Sequence, residues 1–143
     1  LDGKRELLKT VLDEKPDVFN HNIETVRRLT PEIRSGADYE RSLSLLGMAK
    51  ELSPEQVTKS GLIVGLGEEM RELQETFDDL ASVSVDRLTI GQYLAPSLRH
   101  HPVARYYTPD EFEELKDAAK RAGIKAVLSG PFVRSSFHAS AFE

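Results

Sequence analysis

GLIVGLGEEMRELQETFDDLAS, residues 61–82, holds the plan of the chain in one stretch. Leu62, Ile63 and Val64 form the short apolar run of a buried strand, and Gly65-Leu66-Gly67 turns the chain. Residues 68–82 then carry Met70, Leu73, Phe77 and Leu80 at the three- and four-residue spacing of a helix with one buried stripe. Strand, tight turn and helix make a βα unit, and the flanking sequence repeats it. Downstream, residues 87–93 (RLTIGQY) read as a strand. Thr108-Pro109-Asp110-Glu111 opens a helix with a Thr cap and Pro in the first position, which runs through Phe112, Leu115, Ala118 and Ala119 to a stop at Gly123. Residues 124–128 give a further strand. Upstream, residues 4–14 place Leu7, Leu8, Val11 and Leu12 at helical spacing until Pro16; residues 18–23 alternate as a strand; residues 38–51 form a helix capped by Asp38, with Leu43, Leu46 and Ala49 on one face.

Helices alternating with short strands predict an α/β fold with a parallel sheet. A complete eight-stranded barrel needs about 250 residues, and this chain has 143. Two architectures follow: a small doubly wound domain, or a partial parallel (β/α) barrel. The strand-end residues below favour the partial barrel.

Composition narrows the function classes. A net charge of −5 argues against a general nucleic-acid surface, which needs a basic stripe. No apolar run approaches the ~18 residues of a membrane span. With no Cys, the chain has no disulfide, thiol nucleophile or thiolate metal site. It begins with Leu rather than Met, which leads us to expect a piece of a longer protein.

In α/β folds ligands gather where strands finish, and three strand ends carry unusual polar residues. In FNHNIE, period two places Asn20, Asn22 and Glu24 on one face; they suit a sugar's hydroxyls, or a plain helix cap. In GLIVGLGE, Gly65 and Gly67 allow a flat ligand to approach the backbone. That turn lacks the spacing of a dinucleotide fingerprint and the Lys of a P-loop, and Glu68 at the helix entrance disfavours an anion. In GQYLAPSLRHH, Gln92 and Tyr93 offer hydrogen bonds and a ring, while Arg99, His100 and His101 form a cationic knot. Adjacent histidines on extended chain point opposite ways, so anion contact is favoured there over metal.

Taken together, PDVFNHNIETV, IRSGADYERSLSLL, TKSGLIVGLGE, LTIGQYLAPS, RHHPVARYYTPDEF and SGPFVRSSFHA resemble the C-terminal half of the lipoyl synthases, which are radical S-adenosylmethionine (SAM) enzymes. Gly61, Ile63, Gly65 and Glu68 also fit the broader GxIxGxxE pattern of radical SAM barrels. The resemblance implies the C-terminal half of such a barrel over residues 1–128, and a C-terminal arm over 129–143. It implies SAM contacts from Asn22, Glu24, Gly61, Ile63, Gly65, Glu68 and Gln92. Ser136, in the RSS motif, would ligate an auxiliary 4Fe–4S cluster, with Arg134, Arg99 and His100 near the cluster or substrate.

The parent enzyme would use two 4Fe–4S clusters and SAM to insert two sulfur atoms into a protein-bound octanoyl chain. Its substrates would be octanoylated lipoyl-carrier proteins, namely the glycine cleavage H protein and 2-oxoacid dehydrogenase E2 domains, with no nucleic acid or membrane partner. The implied location is the bacterial cytoplasm, with an organelle as alternative. The family's cysteine triplets lie N-terminal to the matching region, so this Cys-free chain alone is expected to be inactive and to retain no cluster. Phe137 stands where the family usually has Tyr. Two other readings stay open: a non-catalytic binding domain from a degenerate radical SAM barrel, and a biotin-synthase-like sulfur-insertion enzyme.

Overall fold

A computed structural model describes residues 2–34, 36, 38–97 and 100–134. In chain order the elements are α1 (Asp2–Asp13), β1 (Phe19–Asn20), α2 (Thr30–Ile33), α3 (Tyr39–Leu52), β2 (Thr58–Val64), α4 (Met70–Ser82), β3 (Arg87–Gln92), α5 (Pro109–Ala122) and β4 (Ala126–Gly130).

The strands form one sheet in the order β1-β2-β3-β4, and every neighbouring pair is parallel. Crossovers between parallel strands are right-handed almost without exception. Strands laid down in sequential order therefore send each crossover helix to the same face, whereas a doubly wound sheet reverses its order midway. The observed order is that of a barrel wall. The chain is α/β with a partial parallel (β/α) barrel, as the βα periodicity and strand ends predict. The sheet is open, because β1 and β4 each pair on one side only among the described residues.

Register divides the residues of β2 and β3 between two faces. Gly61 lies opposite Thr89, Leu62 opposite Ile90 and Ile63 opposite Gly91. Leu62, Val64, Leu88 and Ile90 join Leu73, Phe77, Leu80, Phe112 and Leu115 in the main buried cluster beneath the helices. The alternate residues, Gly61, Ile63, Thr89 and Gly91, therefore face the other side. A smaller cluster of Leu8, Leu12 and Ala49 fastens α1 to α3.

The helix starts follow their caps. Asp38 accepts a hydrogen bond from the Arg41 N–H at 3.1 Å, and Thr108 forms a reciprocal capping box with Glu111. On α4 the cap is Glu69, boxed with Glu72, so the helix begins at Met70 rather than at 68. In the first turn Met70 stays 51% exposed and does not join the expected stripe; Thr76 does, beside Leu73, Phe77 and Leu80.

Two strands differ from expectation. The first covers only Phe19–Asn20 instead of 18–23, because Ile23 N–H donates to the Ser60 hydroxyl (2.9 Å) rather than to a ladder carbonyl. The chain rejoins β2 at Glu24, whose φ is 72°. The last strand spans Ala126–Gly130 rather than 124–128. Ile124 N–H is still held by the Ala119 carbonyl of α5, and pairing starts only with Ala126. Ser129 and Gly130 thus belong to the sheet, beyond the boundary expected at 128. A 3₁₀ turn at Arg27–Leu29 leading into α2 was not foreseen in the sequence. No helix among the described residues is long and apolar enough to cross a membrane.

Candidate functional site

At the C-terminal ends of β2 and β3, on the face away from the helices, lies a cleft of about 220 Å³. Of the residues singled out in the sequence as ligand contacts, Asn22, Glu24, Gly61, Ile63, Gln92, Tyr93 and Arg134 line it, together with Leu62, Thr89, Gly91, Leu94 and Val133. Asn20, on the same face by simple alternation, does not. Asn20 pairs with Lys59 but Glu24 bridges Leu62, so one extra residue lies between them and the alternation that holds at Asn20 does not carry through to Asn22 and Glu24.

Glu24 is fixed at both backbone atoms: its N–H donates to the Gly61 carbonyl and its carbonyl accepts from Ile63 N–H, each at 2.9 Å. Its carboxylate accepts from the Arg34 guanidinium at 3.1 Å. Behind this rim, His21 Nε2 sits 3.0 Å from the Ser42 hydroxyl. Burial, reinforced by the Arg34 charge, holds that imidazole below the usual histidine range, and hence neutral.

Gly61 is required by its surroundings. A Cβ there would lie 2.8 Å from Asn22 Oδ1 and 3.1 Å from Thr89 Oγ1. Asn22 Oδ1 is buried and has no hydrogen-bond partner. Buried acceptors are nearly always paired, and an unpaired one costs roughly 1–3 kcal/mol. Asn22 lines the cleft, so a turn of its amide would present this unpaired oxygen to a donor brought by a ligand.

Gln92 and Glu68 do different work. The Gln92 amide donates to the carbonyls of Tyr93 (3.1 Å) and Arg105 (2.9 Å), and its oxygen accepts from Tyr107 N–H (2.9 Å). Glu68 folds back over its own turn. Its carboxylate accepts from Gly65 N–H (3.0 and 3.1 Å) and Leu66 N–H (3.0 Å), and from the Tyr107 hydroxyl at 2.7 Å. Gly65, at φ 104°, passes so close to Gln92 Nε2 that a Cβ would meet it at 2.3 Å. Its carbonyl accepts from Ala104 N–H at 2.7 Å. These bonds pin the segment between β3 and α5 over the glycine turn. Glu68 lines a separate cleft of about 420 Å³ with Arg105, Tyr107 and Glu111; neither it nor Gly65 lines the first.

Arg134 is exposed, and its guanidinium donates to the carbonyls of Val133 (2.8 Å) and Pro131 (3.4 Å). His100 is exposed, 2.8 Å from the Ser97 hydroxyl, and lies outside the cleft. Arg99 and Ser136 lie outside the described residues. Among the described residues no three His, Cys, Asp or Glu side chains gather as a metal site. Sequence reading missed Thr89 and Gly91 on the cleft floor, and the Tyr107–Glu68 contact. The first pair follows from the period of two once the β2–β3 register is known; the contact joins residues 39 apart and has no local signal.

Sequence comparison finds a lipoyl synthase of Geobacillus thermodenitrificans, 56% identical over 137 residues, covering 96% of this chain and 46% of that protein. A second lipoyl synthase, of Nostoc, is 54% identical over the same shares, and one from Koribacter versatilis is 56% identical. Over 96% of its length the chain is similar to these lipoyl synthases. It spans about half the length of the curated relatives it matches. No family model matches it. Among solved structures, SuiB of Streptococcus suis superposes with a TM-score of 0.51 at 11% identity, over 81% of this chain and 32% of that one; this likeness is one of fold. Lipoyl synthase relatives at this identity do not favour the biotin-synthase-like or binding-module readings.

Proposed function

We propose that this chain forms one wall of the SAM pocket in a lipoyl synthase that inserts two sulfur atoms into an octanoyl chain carried on a lipoyl-carrier protein. The observation that carries the reading is Asn22 Oδ1, a buried acceptor without a partner, on a cleft wall made by the family's own motif residues. In this reading a ribose hydroxyl donates to Asn22 Oδ1, and a second meets the Glu24 carboxylate, held in place by Arg34. Gly61 and Ile63 offer a flat wall to the adenine, because Gly61 adds no side chain. Gln92, on the cleft wall, and Glu68, outside it, act by holding the backbone that shapes it.

SAM, when bound and reduced by a 4Fe–4S cluster, supplies the radical chemistry. The residues described here do not fit a cluster: the chain has no Cys, and no alternative donor group gathers among the described residues. This chain alone is expected to leave SAM intact. The 129–143 arm with Arg134 and Ser136 is proposed to reach an auxiliary cluster held by the remainder of the enzyme. The carrier would be an H protein or an E2 domain, and the setting a bacterial cytoplasm.

The test uses the full-length protein carrying this sequence, reconstituted anaerobically with iron and sulfide and given SAM and an octanoylated carrier. Formation of both 5′-deoxyadenosine and lipoylated carrier is expected. Deoxyadenosine formed without sulfur insertion would overturn the lipoyl assignment. Asn22→Ala should weaken SAM binding about tenfold, the worth of one good hydrogen bond; unchanged affinity would remove Asn22 from the pocket.

A further inference from the structure

Gly91 faces the cleft from the middle of its floor, opposite Ile63 on β2. It sits within β3 and is not among the residues with a left-handed backbone, so its conformation does not call for glycine. Its surroundings do. A Cβ at Gly91 would stand 2.3 Å from the carbonyl oxygen of Val133 and 3.3 Å from its carbonyl carbon, with Arg134 Nη1 at 3.6 Å. Real Cβ atoms do not approach a carbonyl oxygen so closely, and the obstacle is backbone, which cannot swing aside as a side chain would.

The segment lying on Gly91 is the turn that leaves β4. Val133 N–H donates to the Gly130 carbonyl at 3.2 Å, and the Val133 Cγ2 methyl lies 3.5 Å from where a Gly130 Cβ would sit. The Val133 carbonyl that rests against Gly91 also accepts from the Arg134 guanidinium. One carbonyl thus marks where the arm crosses the sheet and where the Arg134 head group is held at the cleft.

We infer that Gly91 is a positioning residue: its missing side chain is the seat on which residues 131–134 cross the mouth of the cleft, and that seat sets the direction in which the chain beyond Arg134 departs. Gly91 acts through the arm and needs no contact with ligand. The seating is independent of the reaction. Its consequence for sulfur insertion rests on the lipoyl synthase reading, in which the same arm carries Ser136.

The experiment compares Gly91→Ala with the parent in the full-length protein, using Gly47→Ala as a control. A Cβ at Gly47 makes only ordinary contact, 3.4 Å from the Val83 side chain, far from the cleft. Hydrogen–deuterium exchange of the Val133 amide, held by the Gly130 carbonyl, should quicken about tenfold in Gly91→Ala, which corresponds to about 1.4 kcal/mol of lost docking. Exchange in β3 should not change, and neither should the melting temperature. Unaltered exchange of the Val133 amide, or faster exchange spread through β3 with a falling melting temperature, would overturn the inference. Should Gly91→Ala fail to fold, Val133→Gly loosens the same turn without touching the sheet; it must reproduce the faster exchange, and its failure to do so would overturn the seat equally. Activity is read separately. With the lipoyl reading intact, Gly91→Ala lowers lipoyl product. A loosened arm in a protein that never makes lipoyl product, even as parent, leaves the seat standing and removes only the reaction.

Discussion

Glu68 and Tyr107 give the sharpest test of how the segment over the cleft is held. The Glu68 carboxylate is buried and serves the Gly65 and Leu66 N–H groups and the Tyr107 hydroxyl, the last at 2.7 Å. Tyr107→Phe removes one hydrogen bond to a charged acceptor, worth about 1.5–3 kcal/mol. Glu68→Ala removes that bond too and leaves two backbone donors unpaired, at about 1–3 kcal/mol each, so a loss of about 3.5–9 kcal/mol is expected. Because the Tyr–Glu bond is lost in both single variants, the double variant should fall short of additivity by about 1.5–2 kcal/mol. Urea denaturation of the four proteins, with the slope checked for constancy, measures the coupling. Additivity within about 0.5 kcal/mol would refute a shared bond. The pH dependence supplies a second arm. Burial first, then the bond and charge of Glu68, push the Tyr107 hydroxyl well above the ordinary tyrosine range. The folded state therefore holds this proton where the unfolded chain releases it. The stabilisation is complete below about pH 10 and is lost as pH rises beyond it; Tyr107→Phe should flatten that alkaline loss.

Three further outcomes follow from single residues. His21 is held below the usual range by burial and Arg34, so its contribution is present above about pH 6.5 and lost as pH falls toward the depressed value; thermal melts of His21→Asn should decline less between pH 7 and 5 than the parent, and parallel curves would discount the residue. Gly61→Ala puts a methyl 2.8 Å from Asn22 Oδ1, and calorimetry should find SAM affinity in the full-length enzyme reduced at least about tenfold, whereas unimpaired binding would mean the cleft is not the pocket. Lys50 Nζ lies 2.6 Å from Asp86 Oδ2, which also accepts from Thr58 N–H at 2.9 Å; Asp86→Ala should cost about 2–3 kcal/mol by chemical denaturation, and a loss under about 0.5 kcal/mol would make this a surface pair in effect.

The legible parts of the fold were those governed by short-range rules. Asp38 and Thr108 announce their helices because a cap needs only an oxygen and an N–H three residues on. The Leu73-Phe77-Leu80 stripe follows from the helical period alone. Residues 18–23 were misjudged for a reason of longer range: the Ser60 hydroxyl intercepts the Ile23 N–H, and no pattern within 18–23 encodes an event 37 residues away. Met70 stays exposed because the helix starts there, capped by Glu69; Glu68, expected inside the helix, is instead committed to Gly65, Leu66 and Tyr107.

The same division of range explains why the site was half legible. Asn22, Glu24 and Gly61 stand out as amide, carboxylate and glycine at the ends of apolar strands. Thr89 and Gly91 look like ordinary strand residues until β2 and β3 are set in register, after which Gly91 stands directly opposite Ile63. Only then does the second use of glycine become visible. At Gly61 a side chain would crowd Asn22 and the cleft floor; at Gly91 it would collide with the Val133 backbone. The first absence leaves room beside the proposed ligand wall and the second gives the C-terminal arm its crossing. One face of the sheet, spanning β2 and β3, therefore shapes both the cleft and the segment that rests on it.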